Sequence, residues 1–174
     1  MTPVEKLLKI ARNEIGYLEK ATNSNLDDKT ANSGYNNWNK YARDLDKTNI
    51  YNGKKNGYSW CDIFCDWCFV TAFGFDKALE ITGQKTNGYG AGCTESVRYY
   101  KEKGWFFKSN PQPGDQIFFS NDGGKSFYHT GLVEKVTPDR IYTIEGNTGD
   151  PGLVRKRERV IDSDEIIAYG SWYK

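Results

Sequence analysis

An α+β domain is predicted by a change of rhythm along the chain and by one unusual run. Apolar residues recur at helical spacing in the first part, and period-two runs fill the last third. Between them, Trp60 to Phe73 is apolar on nearly every side, so a helix there must lie inside the domain. Helices followed by strands pack as an α+β layer structure. The 174 residues suit a single domain, 1–174, large enough to bury a core.

The elements follow in order. Thr2-Pro3-Val4-Glu5 offers an N-cap, a proline at the first helical position and a capping-box glutamate, with Val4, Leu7, Leu8, Ala11 and Ile15 at helical spacing and Gly16 as the stop. Residues 20–36, rich in Asn, Ser, Thr and Asp, read as a surface loop. Trp38, Tyr41, Ala42 and Leu45 predict a second short helix. The buried helix from Trp60 closes at Gly74. A glycine-rich stretch, Gly83 to Gly92, leads to a helix capped by Thr94 and ended by Gly104. Strands are predicted at 116–119, 131–136, 141–144 and 165–169. Pro138-Asp139 turns the second into the third, which places His129 and Glu145 near one end of an antiparallel hairpin.

Composition narrows the function classes. Lys+Arg 24 against Asp+Glu 23 leaves a formal charge of +1, without the concentrated basic surface that nucleic acid needs. Arg155-Lys156-Arg157, interrupted by Glu158, reads as a solvated strand face. No run of about 18 apolar residues would span a membrane, and the N-terminus reads as an amphipathic helix rather than a signal segment. The protein is therefore expected to be made in the cytosol, as a monomer, with no nucleic-acid or membrane partner. Three of its four cysteines fall in one helical stretch where cross-linking would constrain little, so free thiols are expected.

Cys61 opens the buried helix, and His129, the chain's one histidine, begins a strand-like run. At a helix start, unpaired N–H groups and the positive dipole end stabilise a thiolate, lowering its pKa from about 8.5 towards roughly 3.5–7.5. The same N–H groups can hold an oxyanion, worth about two to three powers of ten in rate. His129 would serve as base and then acid, with Glu145 or Asn147 orienting its ring; two apart on a strand, they share a face. The plainer reading is a packed cysteine and an ordinary histidine. Cys61-x3-Cys65-x2-Cys68 also has the spacing of a radical-SAM iron–sulfur motif, although an uninterrupted apolar helix and a short chain speak against it. A zinc site with Cys93 as fourth ligand is weak because Cys93 is distant. Cys65, Cys68 and Cys93 then read as small buried hydrophobes.

Four ordered motifs carry a resemblance: Trp60-Cys61-x-x-Phe64-x-x-Trp67-Cys68, Pro113-Gly114-Asp115-Gln116-Ile117-Phe118-Phe119, His129-Thr130-Gly131-Leu132-Val133 and Tyr142-Thr143-Ile144-Glu145-Gly146-Asn147. Together they resemble a CHAP domain, the cysteine, histidine-dependent amidohydrolase/peptidase family, over nearly the whole chain. The resemblance implies a papain-like fold, with helices first and the nucleophile at a helix start packed on an antiparallel sheet. It implies cleavage of peptidoglycan, either at the N-acetylmuramoyl-L-alanine amide or within the stem and cross-bridge peptides. Cys61 would be the nucleophile, His129 the base, Glu145 the orienter and Asn147 a fourth polar member. Asp62-Ile63-Phe64-Cys65 departs from the family's frequent Ala-x-Phe-Val. Tyr58, Trp60, Phe127 and Tyr128 are expected to line a groove for glycan and stem peptide.

No cofactor is expected. Some relatives bind calcium through aspartates just before the nucleophile, but Tyr51 to Tyr58 here carries two lysines and no carboxylate. Asn121-Asp122-Gly123-Gly124 reads as a turn rather than a ligand set. A phage or prophage lysin released by a holin, or the catalytic piece of a longer secreted protein, would fit. A non-catalytic wall-binding or assembly module of the same fold is the alternative.

Overall fold

The computed structural model describes residues 1–161 and 163–173. Helix α1 (Pro3–Asn13) starts with the expected capping box: Glu5 N–H donates to Thr2 Oγ1 at 3.1 Å and Thr2 N–H to the Glu5 carboxylate at 2.8 Å. Helix α2 (Lys40–Leu45) is capped by Asn39, whose Oδ1 accepts from Ala42 N–H at 2.8 Å. Helix α3 (Cys61–Phe73) begins one residue after Trp60, which serves as its N-cap.

Two helical details differ from expectation. Gly74, with φ 82°, ends α3 and at once opens a further helix, α4 (Phe75–Thr82), so a stop signal also serves as a start. Helix α5 (Cys93–Glu102) starts at Cys93 with Gly92 as N-cap, two residues before the expected cap at Thr94. The Thr94 hydroxyl instead accepts from Phe127 N–H at 3.0 Å, tying α5 to the loop before His129.

The strands are β1 (Phe106–Phe107), β2 (Gln116–Phe119), β3 (His129–Val136), β4 (Arg140–Thr148), β5 (Leu153–Val160) and β6 (Ile166–Gly170). They form one antiparallel sheet in the order β1-β6-β2-β3-β4-β5. The basic run 155–157 lies on β5, at a sheet edge, where charge discourages pairing with another chain. Helices precede the sheet and α3 packs across β3 and β4, giving the α+β, papain-like layout.

Alternation along the strands sends their side chains to two cores. Phe118, Leu132, Ile144 and Val154 face α3 and join Leu7, Tyr41, Ile63, Phe64 and Phe69 in the main core. Ile117, Phe119, Val133, Ile141 and Tyr169 form a smaller cluster on the opposite face. Each fully buried Phe or Leu contributes about 1.5–3 kcal/mol relative to exposure. Helix and sheet approach closely at one point: a Cβ on Gly146 of β4 would stand 2.6 Å from the Phe64 Cβ of α3, so only glycine fits there.

Candidate active site

Cys61 is the first residue of α3 and Cys93 the first of α5, and both helix starts lack a side-chain cap. Their N–H groups are therefore left for another acceptor. The two sulfurs lie 3.6 Å apart, and both residues are buried. A buried network fixes the elements that carry them. Asp62 accepts from the Ser96 hydroxyl at 2.8 Å and from Gln116 Nε2 at 2.9 Å, and Gln116 Nε2 reaches Thr130 Oγ1 at 3.2 Å. Residues next to Cys61 and His129, and one turn beyond Cys93, are thus bonded through β2. Burial, with the charges of Asp66 and Cys61, pushes the Asp62 carboxyl far above the ordinary range.

His129 opens β3 and shares its sheet face with Gly131, opposite Glu145 and Thr143 of β4. Its Nε2–H donates to Glu145 Oε2 at 2.8 Å, which leaves Nδ1 as the ring nitrogen for Cys61. Gly131 makes room for this contact, since a Cβ there would stand 2.6 Å from Glu145 Cγ. The Thr143 hydroxyl donates to Glu145 Oε1 at 2.6 Å, and Arg159 of β5 donates from Nη2 to Oε2 at 2.9 Å. Phe119, the cross-strand partner of His129, stacks on its ring with centroids 5.7 Å apart.

The charges follow from these contacts. The thiol of Cys93 donates to Cys61 and lowers its pKa; burial opposes this, and His129 and the N–H of Asp62 add to the lowering, so Cys61 lies well below an ordinary thiol. Cys93, sharing its proton towards Cys61 and buried, moves the other way. Burial disfavours charge on His129, but hydrogen bonds and charge from Cys61 and Glu145 outweigh it and raise its pKa to about 9. Burial likewise opposes charge on Glu145, yet His129 and Arg159 bring it down to about 2. The arrangement can hold a thiolate–imidazolium pair at neutral pH. It can deliver sulfur to a carbonyl carbon with uncapped helix N–H groups beside it.

The other expected site residues separate. Asn147 lies within a bulge of β4 and has φ 54°; its amide oxygen lies beside Gly152 rather than on the imidazole, because the bulge ends the alternation that would have kept it with Glu145. Trp60 is fully buried among Tyr17 and Tyr41, its Nε1–H bonded to Glu19 at 3.1 Å, so it belongs to the core and offers no groove surface. Phe127 is also packed inside, edge-on to Phe118 and Phe106. Tyr58 and Tyr128 are open, 66% and 50% exposed. Tyr58 lines a groove of about 590 Å³ with Lys54, Lys55, Ser59, Tyr89 and Gly92, running beside both helix starts.

Cys65 and Cys68 are fully buried, and burial pushes their thiols well up, which suits packing and not a thiolate ligand set. Asp122 spends its oxygens within its loop, on Ser120, Lys125 and Ser126. Sequence reasoning missed Arg159, Thr143, Asp62 and the nearness of Cys93. Arg155, Arg157 and Arg159 at period two hinted that one arginine face points inward, and Cys93 after Gly92 mirrors Cys61 as a helix opener.

No curated protein matches the sequence. The crystal structure of Ly7917 is similar in fold, with a TM-score of 0.51 and 15% identity over 97% of this chain; the chain spans 62% of that protein's length. The sequence profile of the CHAP domain matches residues 53–147, more than half of the chain, from just before Cys61 through His129 to Asn147. The chain belongs to the CHAP domain family.

Proposed function

We propose that this protein is a peptidoglycan hydrolase that cleaves an amide bond by cysteine nucleophilic catalysis, acting as a lysin of phage or prophage origin. The observation that carries the reading is the line of contacts from the uncapped start of α3 through Cys61 and His129 to Glu145, with Nε2 on the carboxylate at 2.8 Å. The Cys61 thiolate attacks the amide carbonyl, and the oxyanion rests on the free N–H groups of the helix start. The His129 imidazolium gives its proton to the leaving amine, and a thioester remains. Water then donates a proton to His129 as it attacks, releasing the acid and restoring the pair. Glu145, held by Thr143 and Arg159, keeps the ring in register throughout. The groove lined by Tyr58, Lys54 and Lys55 would take the substrate, its lysines complementing the free carboxylates of stem peptides.

Digestion of purified peptidoglycan followed by mass spectrometry tests the reading. Glycans stripped of stem peptide would report amidase action, and new amino termini within the peptide would report endopeptidase action. No fragment from any of several wall chemistries would overturn it and favour a non-catalytic wall-binding module.

A further inference from the structure

The contact between Cys61 and Cys93 has chemistry of its own. The sulfurs come from two helices 32 residues apart in sequence, meet at 3.6 Å, and belong to free thiols. Bond formation requires approach to about 2.05 Å, a movement that side-chain rotation at two helix ends can share. The segment before Cys93 is not wedged, since Gly90 and Gly92 have open space where a Cβ would stand. Cys65 and Cys68 share the helix of Cys61 and are fully buried, so Cys93 is the thiol placed to answer chemistry at Cys61.

We propose that Cys93 is a resolving cysteine, which captures hydroperoxide-oxidised Cys61 as an intramolecular Cys61–Cys93 disulfide and so protects the nucleophile in a reversible resting form. The Cys61 thiolate attacks the hydroperoxide, the O–O bond breaks, and one proton is taken up; Cys61 becomes the sulfenic acid and the oxidant leaves as the alcohol or water. The Cys93 sulfur then attacks the sulfenic sulfur. Its own proton leaves with the displaced hydroxide as water, and the two-electron oxidation of two thiols is complete. Cys61, favoured as thiolate, is the atom oxidised first, whereas Cys93 keeps its proton until the second step. The proposed catalytic role of Cys61 matters only for the effect on turnover.

The test treats the full protein with a modest excess of hydrogen peroxide and follows intact mass, digested peptides and wall hydrolysis. Wild type is expected to lose two hydrogens, to give a linked Cys61–Cys93 peptide, and to lose turnover by at least about tenfold until dithiothreitol restores it. Cys93→Ser and Cys93→Ala should instead add oxygens at Cys61, with a loss that dithiothreitol does not reverse. Wild type gaining oxygens at Cys61 without the link, or linking other cysteines, would overturn the proposal. A clean Cys61–Cys93 link in a protein whose reduced form cuts no wall would leave the pairing standing and remove the hydrolase reading. An active enzyme without the link would do the reverse.

Discussion

Arg159 grips Glu145 by both carboxylate oxygens, with Nη2 2.9 Å from Oε2 and Nε 3.2 Å from Oε1. The same guanidinium lies 4.5 Å from the Phe119 ring centroid, and Phe119 stacks on His129. Cation, phenyl ring and imidazole thus form one stack, with the carboxylate clasped along its edge.

Breaking that clasp should be costly. Glu145 is fully buried, so Arg159→Met leaves its carboxylate with only His129 and Thr143 as partners, and a stability loss of about 1.5–3 kcal/mol is expected in urea unfolding. Turnover should fall as well, because the imidazole loses its fixed orientation. Adding Glu145→Gln to Arg159→Met should recover part of the stability but none of the turnover, a non-additivity that a double-mutant cycle reads directly.

The pH profile follows from the thiolate–imidazolium pair. Its acid limb should lie well below the ordinary thiol range, because Cys61 is held ionised, and activity should fall as pH rises through about 9, where His129 loses its proton. Rates of wall hydrolysis across pH check both limbs. Cys61→Ala and His129→Ala should each lower turnover by about a thousandfold or more, while Cys65→Ala and Cys68→Ala keep it.

Asp66 predicts a separate pH effect on stability. Burial raises it to about 7 despite hydrogen bonds from Tyr51 and the Gln84 amide, whereas an unfolded aspartate titrates at its ordinary 3.8. Between those values the folded state binds the extra proton, so this group's contribution makes stability fall as pH rises through the window and level off above it. Asp66→Asn should remove that slope. Denaturant midpoints for both proteins, measured at about pH 4 and about pH 7, give the comparison.

Gly131→Ala should act on the site through Glu145. The new methyl meets Glu145 Cγ, and the side chain has to leave the imidazole to relieve it. A loss of about 1–3 kcal/mol in stability is expected, with turnover falling more steeply than that loss would explain.

Chelation should leave the enzyme unaffected. The Tyr51 to Tyr58 segment carries no carboxylate, and Asp122 is occupied by its own loop, so turnover in EDTA should equal turnover in added calcium. A rise with calcium would point to ligands elsewhere.

Much of this was legible beforehand, and the omissions have physical causes. Cys61 at a helix start and the Pro138-Asp139 hairpin that pairs His129 with Glu145 follow from local signals: period, capping and turn chemistry. Arg159 was hidden because the charges of β5 look alike in sequence, and even the strand register sets Arg155 opposite Glu145, so only the side-chain packing shows that Arg159 reaches the carboxylate. Trp60 and Phe127 were misassigned to the groove because an aromatic beside a reactive residue carries no mark of the direction it faces. Asn147 was placed with Glu145 by strict alternation, which a bulge between Glu145 and Thr148 interrupts. Cys93 reached Cys61 through tertiary packing of two helices, a relation that spacing along the chain does not encode.

Gly146 carries a last consequence. Because its bare α-carbon lets Phe64 seat directly on β4, the separation between the layer that presents sulfur and the layer that presents imidazole is gauged by a missing methyl group. Enlarging that residue would act as a shim, lifting one half of the machinery off the other while leaving every reactive atom chemically intact. Accuracy in this site is therefore machined into a seam of the backbone, one residue away from the carboxylate that holds the ring.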